Sequence, residues 1–485
     1  MKNSFRLAVV TQGDHDLHDR RFHIAEGFAN GANHLTAITG RNGMGKSRLL
    51  ANIAAVFEAA SGAQPRPGIS AMVEYEIGRL RCTATLNRGQ VLAEVNGISI
   101  DPSQLPGPKR VAAVTTSAFD KFQIPRTAVN PSQPHSPATY RYLGLKDSRG
   151  RISATAGLYR ALDELFDSIA SDEQHRSRIS DVFEDLGYEA RIEVVYDWTR
   201  LGGGLVKSGS DLGRAEYRAF SELSSEASNS WIGRQGPGVR EPVVRELAQA
   251  VELIGELGTS QKGALIADFR NPNLARLDHL RAAQVLRRAD MLRTKSVILI
   301  RSDSGKRVDI KDASSGELSL VTAMLGIASA IDDNSLILID EPEISLHPDW
   351  QANYVKTLMT AFDGFEGCHF LVATHSPLVV SGLPEFNSNV VSLEQEIDAR
   401  YKTGASVDEV LVRAFGTAGP DNLFIKQSLV KALRMAADGR FNNAEFSELT
   451  NVLRASSEAR GLDPGIRLVI EDLEATVARA RKIPE

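Results

Sequence analysis

Apolar and polar positions fall into changing textures along the chain. Residues 34–39 form a β-rich apolar run that stops at Gly40. Residues 48–57 then repeat at helical spacing. Residues 72–77 and 91–95 alternate as half-buried strands do, and 110–115 reads as another strand after a Pro/Gly turn. A stretch rich in Pro, Ser and Arg over 125–150 reads as a linker. From about 151 to 290 helical spacing takes over, at 158–169, 243–257 and 274–292. Glycine-rich breaks interrupt it at 202–204 and 233–238. Strand texture returns at 296–300, 335–340 and 369–374, and the stretch from about 405 to 485 is again helical. These shifts predict four segments: 1–145, a mainly helical insert over 146–295, a second α/β half over 296–400, and a helical tail over 401–485.

Composition changes this picture little. The 485 residues are 42% apolar and 24% charged, the mix of a core-forming globular chain. A formal charge of −5 gives no overall argument for nucleic acid, so any such contact needs a local basic patch. Cys82 and Cys368, far apart, form neither a disulfide framework nor a zinc pattern. The start lacks a signal-peptide core, and no run of roughly 18 apolar residues occurs. A cytoplasmic location is expected.

Chemistry enters at residues 40–47, Gly-Arg-Asn-Gly-Met-Gly-Lys-Ser, which match G-x-x-x-x-G-K-[ST] between a strand and a helix. Such a loop turns the N–H groups of Asn42, Gly43, Met44 and Gly45 toward phosphate, and the helix N-terminus adds positive charge. Lys46 is expected to reach the β- and γ-phosphates of ATP, and Ser47 to ligate Mg2+. Residues 336–341, Leu-Ile-Leu-Ile-Asp-Glu, read as a buried parallel strand ending in two carboxylates, at the end where open α/β sheets bind ligands. Asp340 there is expected to hold Mg2+ through water, and Glu341 to polarise the attacking water. Residues 369–375 form a further buried strand ending in His375, placed to bond the γ-phosphate or that water.

Between these motifs lies Ala313-Ser314-Ser315-Gly316-Glu317-Leu318-Ser319-Leu320. Alone it would read as an ordinary helix N-cap. In this order it resembles the ABC signature L-S-G-G-Q/E, with Ala313 at the usual Leu and Ser315 at the usual first Gly. Residues 341–348, Glu-Pro-Glu-Ile-Ser-Leu-His-Pro, are similar to the segment after the acidic strand in soluble bacterial ABC ATPases of SMC and DNA-repair type. The resemblance implies an ABC-type P-loop ATPase head, α/β in class, with an enlarged helical lobe before the signature and a helical C-terminal tail. It also implies a head-to-tail homodimer in which Ser314, Ser315, Gly316 and Glu317 close over the γ-phosphate held by the other copy. Ser345, Leu346 and His347 would form the D-loop across that interface. The Q-loop is expected after the strand ending near Thr115; Gln123 is one candidate, with Ser117 and Asp120 as alternatives.

The insert is too short for an SMC coiled coil and lacks sustained heptads. The chain resembles the PtuA-type AAA family ATPases of Septu and retron anti-phage modules. That implies an ATP-hydrolysing switch over a separately encoded effector, an HNH-type nuclease, docked by the tail. Residues 466–472 look faintly like the opening strand of a Toprim nuclease domain, but too little sequence follows, so no nuclease is expected here. A DNA-repair ATPase acting directly on nucleic acid is the alternative, through Arg276, Arg281, Arg287, Arg288, Arg293 and Lys295, although a solvated helix face is the favoured reading of that cluster. A transporter ATPase subunit fits the enlarged lobe less well.

Overall fold

A computed structural model describes residues 4–13, 20–25, 31–63, 68–124, 139–146, 152–153, 156–169, 173–199, 237–255, 264–289, 291–394, 405–419, 421–441 and 443–480. The glycine stretch at 202–204, most of 233–238 and most of the 125–150 linker lie outside them.

Six parallel strands form the centre: β3 (His34–Thr39), β8 (Val111–Thr115), β9 (Tyr140–Leu143), β14 (Leu336–Asp340), β15 (His369–Ala373) and β16 (Ser388–Ser392), in the order β16-β3-β15-β14-β8-β9. Every residue of β3, β8, β14 and β15 is buried, which is why their sequences are continuously apolar rather than alternating. Register matters most here. Asp340 pairs with Ala373 on one side and Thr115 on the other, and Ala373 pairs with Ile38. The carboxyl ends of four strands therefore finish in one row, and the loops leaving them converge.

A second sheet is antiparallel, in the order β2-β1-β4-β5-β6-β7. Its strands are β1 (Phe5–Gln12), β2 (Arg20–His23), β4 (Ser70–Ile77), β5 (Leu80–Asn87), β6 (Gln90–Val95) and β7 (Ile98–Ile100). Along β5, Cys82, Ala84 and Leu86 point inward while their neighbours do not, the alternation of a sheet with one wet face. Helix α1 (Lys46–Ala60) fills the space between the two sheets with Leu49, Leu50, Ile53, Val56 and Phe57. Buried His369 ties the sheets together. Leu7 N–H donates to its Nδ1 at 3.1 Å, so Nε2 carries the proton facing Thr36 Oγ1 at 3.0 Å.

The inserted lobe contains helices α2 (Ala156–Ser168), α3 (Glu173–Asp185), α4 (Pro237–Gly255) and α5 (Leu277–Arg288). It also holds a four-stranded antiparallel sheet, ordered β11-β10-β12-β13, from β10 (Tyr188–Trp198), β11 (Ala264–Asp268), β12 (Leu292–Arg301) and β13 (Arg307–Asp309). Helical spacing hid this sheet. Tyr188, Ala190, Ile192 and Val194 are buried at every second position of β10, a short alternation between two longer helical stretches. The helix expected over 274–292 ends at Arg288, and Leu292 already begins β12. The strand at 296–300 thus belongs to the lobe, not to the parallel sheet.

Helix α6 (Ser315–Ala330) joins the lobe to the parallel sheet. Val321 and Leu325 pack into the lobe core, and Met324 and Ile327 into the core beneath β14. Helices α7 (Pro348–Ala361) and α8 (Pro377–Ser381) follow β14 and β15. The tail comprises α9 (Val407–Arg413), α10 (Leu423–Ala437), α11 (Ala444–Ser457) and α12 (Pro464–Ala480), three of which share a core of Ile425, Ala432, Phe446, Leu453 and Ile470. Residues 466–472 lie within α12, so no strand starts there. Cys82 and Cys368 are free and buried. No described helix is long and apolar enough to cross a membrane.

Candidate functional site

The loop from Gly40 to Gly45 leaves β3 and enters α1. Gly45 caps the helix with φ 96°, a left-handed conformation that a side chain would strain. Lys46, buried in the first turn, folds its ammonium back over the loop and donates to Gly40 O at 2.5 Å and Arg41 O at 3.3 Å. Burial lowers its pKa, and the carboxylates of Glu341, Glu343, Asp340 and Glu394 push the other way. The ammonium is thus held by two backbone carbonyl oxygens of the loop. Asn42 and Gly43 are exposed, while Met44 packs partly against the core under the loop.

Ser47 Oγ donates to Asp340 Oδ1 at 3.0 Å. Asp340 is wholly buried, and its Oδ2 has no hydrogen-bond partner. Burial pushes its carboxyl up to about 7; the Ser47 bond opposes this, while the charges of Glu341 and Asp120 add to it. A hydroxyl and a carboxylate in contact, with one buried carboxylate oxygen unsatisfied, suit a hard divalent cation that takes oxygen ligands. The donor set therefore fits Mg2+.

The next residue leaves the strand abruptly. Glu341 has φ 51°, its N–H donates to Ala373 O at 2.9 Å, and its carbonyl accepts from Thr116 Oγ1 at 3.0 Å. This turn sends its side chain away from Asp340 toward His375, whose Nδ1 lies 3.8 Å from Glu341 Oε1. The strand register thus gathers Lys46, Ser47, Asp340, Glu341 and His375 from three loops at one sheet edge.

Signature residues occupy a different place. Ser314 caps α6, its Oγ accepting from Glu317 N at 3.2 Å. Ser314 and Ser315 are exposed. Glu317 faces the lobe, where it accepts from Tyr188 Oη at 2.7 Å and pairs with Arg301. Gly316 is buried against the turn after β14, and a Cβ there would stand 2.8 Å from Ser345 O. In that turn Leu346 is buried, while His347 is exposed and caps α7 with Nδ1 3.4 Å from Asp349 N. A cavity of about 170 Å³ lies under the signature turn, lined by Thr115, Thr116, Gly157, Ser315, Ser319 and Ser345 among others. Among the described residues no hydrogen bond joins the signature turn to the phosphate loop.

After β8, the backbone carbonyl of Gln123 accepts from Tyr140 Oη at 2.8 Å, and its buried Oε1 meets no partner. The alternative, Asp120, is within electrostatic reach of Asp340. It is buried, accepts from Tyr142 Oη at 3.0 Å, pairs with Lys146 at 3.0 Å, and its charge reaches Asp340. The basic cluster is paired in part, two carboxylates serving four of its six cations. Arg287 and Arg288 pair with Asp163, and Arg293 and Lys295 face Asp197 at 3.6 and 3.9 Å. Tyr188 and Arg301 stand in no motif and carry no signal in the sequence, and Glu343 lies in the 341–348 segment with nothing there to set it apart.

Residues 159–381 match the family model described as "AAA domain, putative AbiEii toxin, Type IV TA system". Two curated relatives are the "Retron Vc95 probable ATPase" of Vibrio cholerae serotype O1 biovar El Tor, 29% identical over 110 residues, and the "Retron Ec83 probable ATPase" of Escherichia coli, 29% identical over 132 residues. The alignments cover 20% and 25% of this chain, and only 20% and 24% of those proteins. Protein ea59 of Escherichia phage lambda is 33% identical over 72 residues, 15% of this chain and 14% of that protein. The SMC head domain from Thermotoga maritima aligns over 79% of this chain and 94% of its own, at 11% identity and a TM-score of 0.33. A superposition of that quality carries no argument about function or assembly.

Proposed function

We propose that this chain, which matches an AAA-domain family model over residues 159–381 and is similar over short segments to two retron ATPases, is an ABC-type ATPase, and that two copies close head to tail around ATP, hydrolyse it, and thereby switch a separately encoded effector in anti-phage defence. The carrying observation is the contrast between two half-sites. One has a phosphate loop with an unsatisfied buried carboxylate oxygen, and the other an exposed pair of serines at the N-terminus of a 16-residue helix. Either half alone leaves groups without a ligand. An anion is what a helix start of this kind attracts.

In the closed dimer, the loop N–H groups and Lys46 hold the β- and γ-phosphates. Lys46 exchanges its two carbonyl partners for phosphate oxygens. Ser47 and Asp340 would hold Mg2+, which when bound neutralises phosphate charge. Glu341 orients and polarises the water in line with the γ-phosphate, and His375 bonds that water or the phosphate. The partner's Ser314 and Ser315 cap the γ-phosphate, so hydrolysis removes the group both copies share and the heads part.

The kinship to retron ATPases supports a defence setting, and the tail supports docking of an effector, an HNH-type nuclease in this reading. Leu423, Val430 and Leu433 of α10, and Leu468 and Val469 of α12, stand exposed outside the tail core. Pairing of the arginines with Asp163 weighs against direct DNA binding through that face.

Glu341→Gln tests the switch. The variant is expected to lose hydrolysis about a hundredfold or more and to accumulate as an ATP-bound dimer by light scattering. A variant that stays monomeric with saturating ATP would falsify the sandwich. Copurification from the native host, with mass spectrometry of the bound protein, identifies the effector; recovery of a membrane permease instead would end the defence reading.

A further inference from the structure

Glu343 has no role assigned to it within the 341–348 segment, yet it is the more deeply buried of the two carboxylates within 4 Å of the His375 ring. It sits two residues past Glu341, in the turn after β14, and its side chain is 4% exposed. A carboxylate that removed from water is costly unless donors surround it. Both close contacts of its side chain go to one residue. Oε1 accepts from the backbone N–H of His375 at 2.7 Å and lies 3.2 Å from the ring Nδ1 of the same residue. Oε2 has no partner. Its negative charge reaches Lys46 and the buried hydroxyl of Tyr354 on α7, but neither bonds it.

We infer that Glu343 is a positioning residue for hydrolysis, holding His375 by backbone and ring together and fixing the proton of its imidazole on Nδ1. The ring atom left to face phosphate or water is then Nε2. Glu341 is the competing partner for Nδ1, but at 3.8 Å it stands outside hydrogen-bonding distance. The two carboxylates thus divide the work. The more exposed Glu341, 23% accessible, stays available to water, and the enclosed Glu343 occupies the inner edge of the histidine. A buried carboxylate on the far nitrogen is a general means of setting which tautomer a functional histidine adopts. His375 follows β15 directly, and its side chain is 44% exposed, so neighbouring packing alone does not hold the ring.

This inference rests on the hydrolytic role given to His375 above, and its test separates the two. ATP hydrolysis and ATP affinity are measured for Glu343→Ala and Glu343→Gln, each also in a His375→Ala background. Glu343→Ala is expected to lower kcat about tenfold or more while ATP affinity changes less than about twofold. Glu343→Gln, which keeps an acceptor for the backbone N–H, retains part of that rate. In the His375→Ala background Glu343→Ala adds less than about twofold, because it acts through the histidine. Losses that multiply in the double variant overturn the inference. Independently, 15N NMR of the His375 ring in the intact protein is expected to show the proton on Nδ1, and to lose that preference in Glu343→Ala, which removes the acceptor. A wild-type Nε2–H tautomer also overturns it, whether or not the variants fold. If His375→Ala leaves hydrolysis untouched while the Nδ1–H signature is present, the catalytic role of His375 fails and the clamp stands.

Discussion

The phosphate loop and the signature turn are both helix starts, but they are supported differently. The first is the end product of the parallel sheet. Four strand ends finish in one row, and Asp340, Ser47 and Lys46 touch or influence one another inside one chain. The second is held from the side. Glu317 bonds Tyr188 and Arg301 of the inserted lobe, and Gly316 lies against the backbone of Ser345. Its serines face outward and meet nothing in their own chain that needs an anion. The difference teaches where coupling between nucleotide and lobe must pass: through α6, whose first turn belongs to the signature and whose later turns belong to two cores at once.

Substitutions on the phosphate side should have large effects within a single copy. Asp340→Asn is expected to lower hydrolysis by at least about a hundredfold, by removing a group that would anchor the cation. The same change should stabilise the nucleotide-free protein in a pH-dependent way. Folding raises the Asp340 carboxyl from 3.8 to about 7, so the folded state binds the proton more tightly than the unfolded one. The penalty is absent at pH values below the ordinary carboxylate range, grows as pH rises toward 7, and is complete above it. Denaturant melts without Mg2+ should therefore show the Asn variant more stable at pH 8, by on the order of a few kcal/mol, and nearly equal to wild type at pH 4. Equal stability at both pH values would mean that Asp340 is not strained by burial.

Signature-side substitutions should leave ATP binding by a single copy intact. Gly316→Ala puts a methyl 2.8 Å from Ser345 O, and backbone cannot swing aside as a flexible side chain can. Displacement of that turn should cut hydrolysis about tenfold, from a strain of about 1–3 kcal/mol, with ATP binding to dilute monomer unchanged by calorimetry. If monomer affinity drops as well, the two sides are not separable in the way described. Glu317→Ala should have the smallest effect. It strands Tyr188 Oη and Arg301 and should cost about 1–3 kcal/mol in denaturant unfolding, with Glu317→Gln recovering most of it because Tyr188 keeps an acceptor. A Glu317→Ala protein as stable as wild type would show that the lobe does not brace the signature.

Local chemistry explains what could be read directly. Residues 40–47 and 336–341 are legible because a phosphate loop and a doubly buried strand need those residue types at consecutive positions. The tail reads as helical for a similar reason, its apolar spacing being sustained over three helices. The sheet in the inserted lobe was lost because β10 carries its signal in four alternate residues flanked by stronger helical patterns. Gln123 illustrates a further limit. Sequence could offer it as a loop residue after β8, but not that its Oε1 is buried without a hydrogen-bond partner, or that Asp120 three positions earlier shares the field of Asp340.

From its sequence alone the motifs of the proposed nucleotide site are legible, because each is a contiguous run whose geometry follows from backbone periodicity. Tertiary structure alone decided which isolated residues serve those motifs. Glu343 meets His375 across 32 positions, and Tyr188 meets Glu317 across 129. Such pairs are set by strand register and by how the lobe docks on α6, and neither is encoded in the spacing of any one segment.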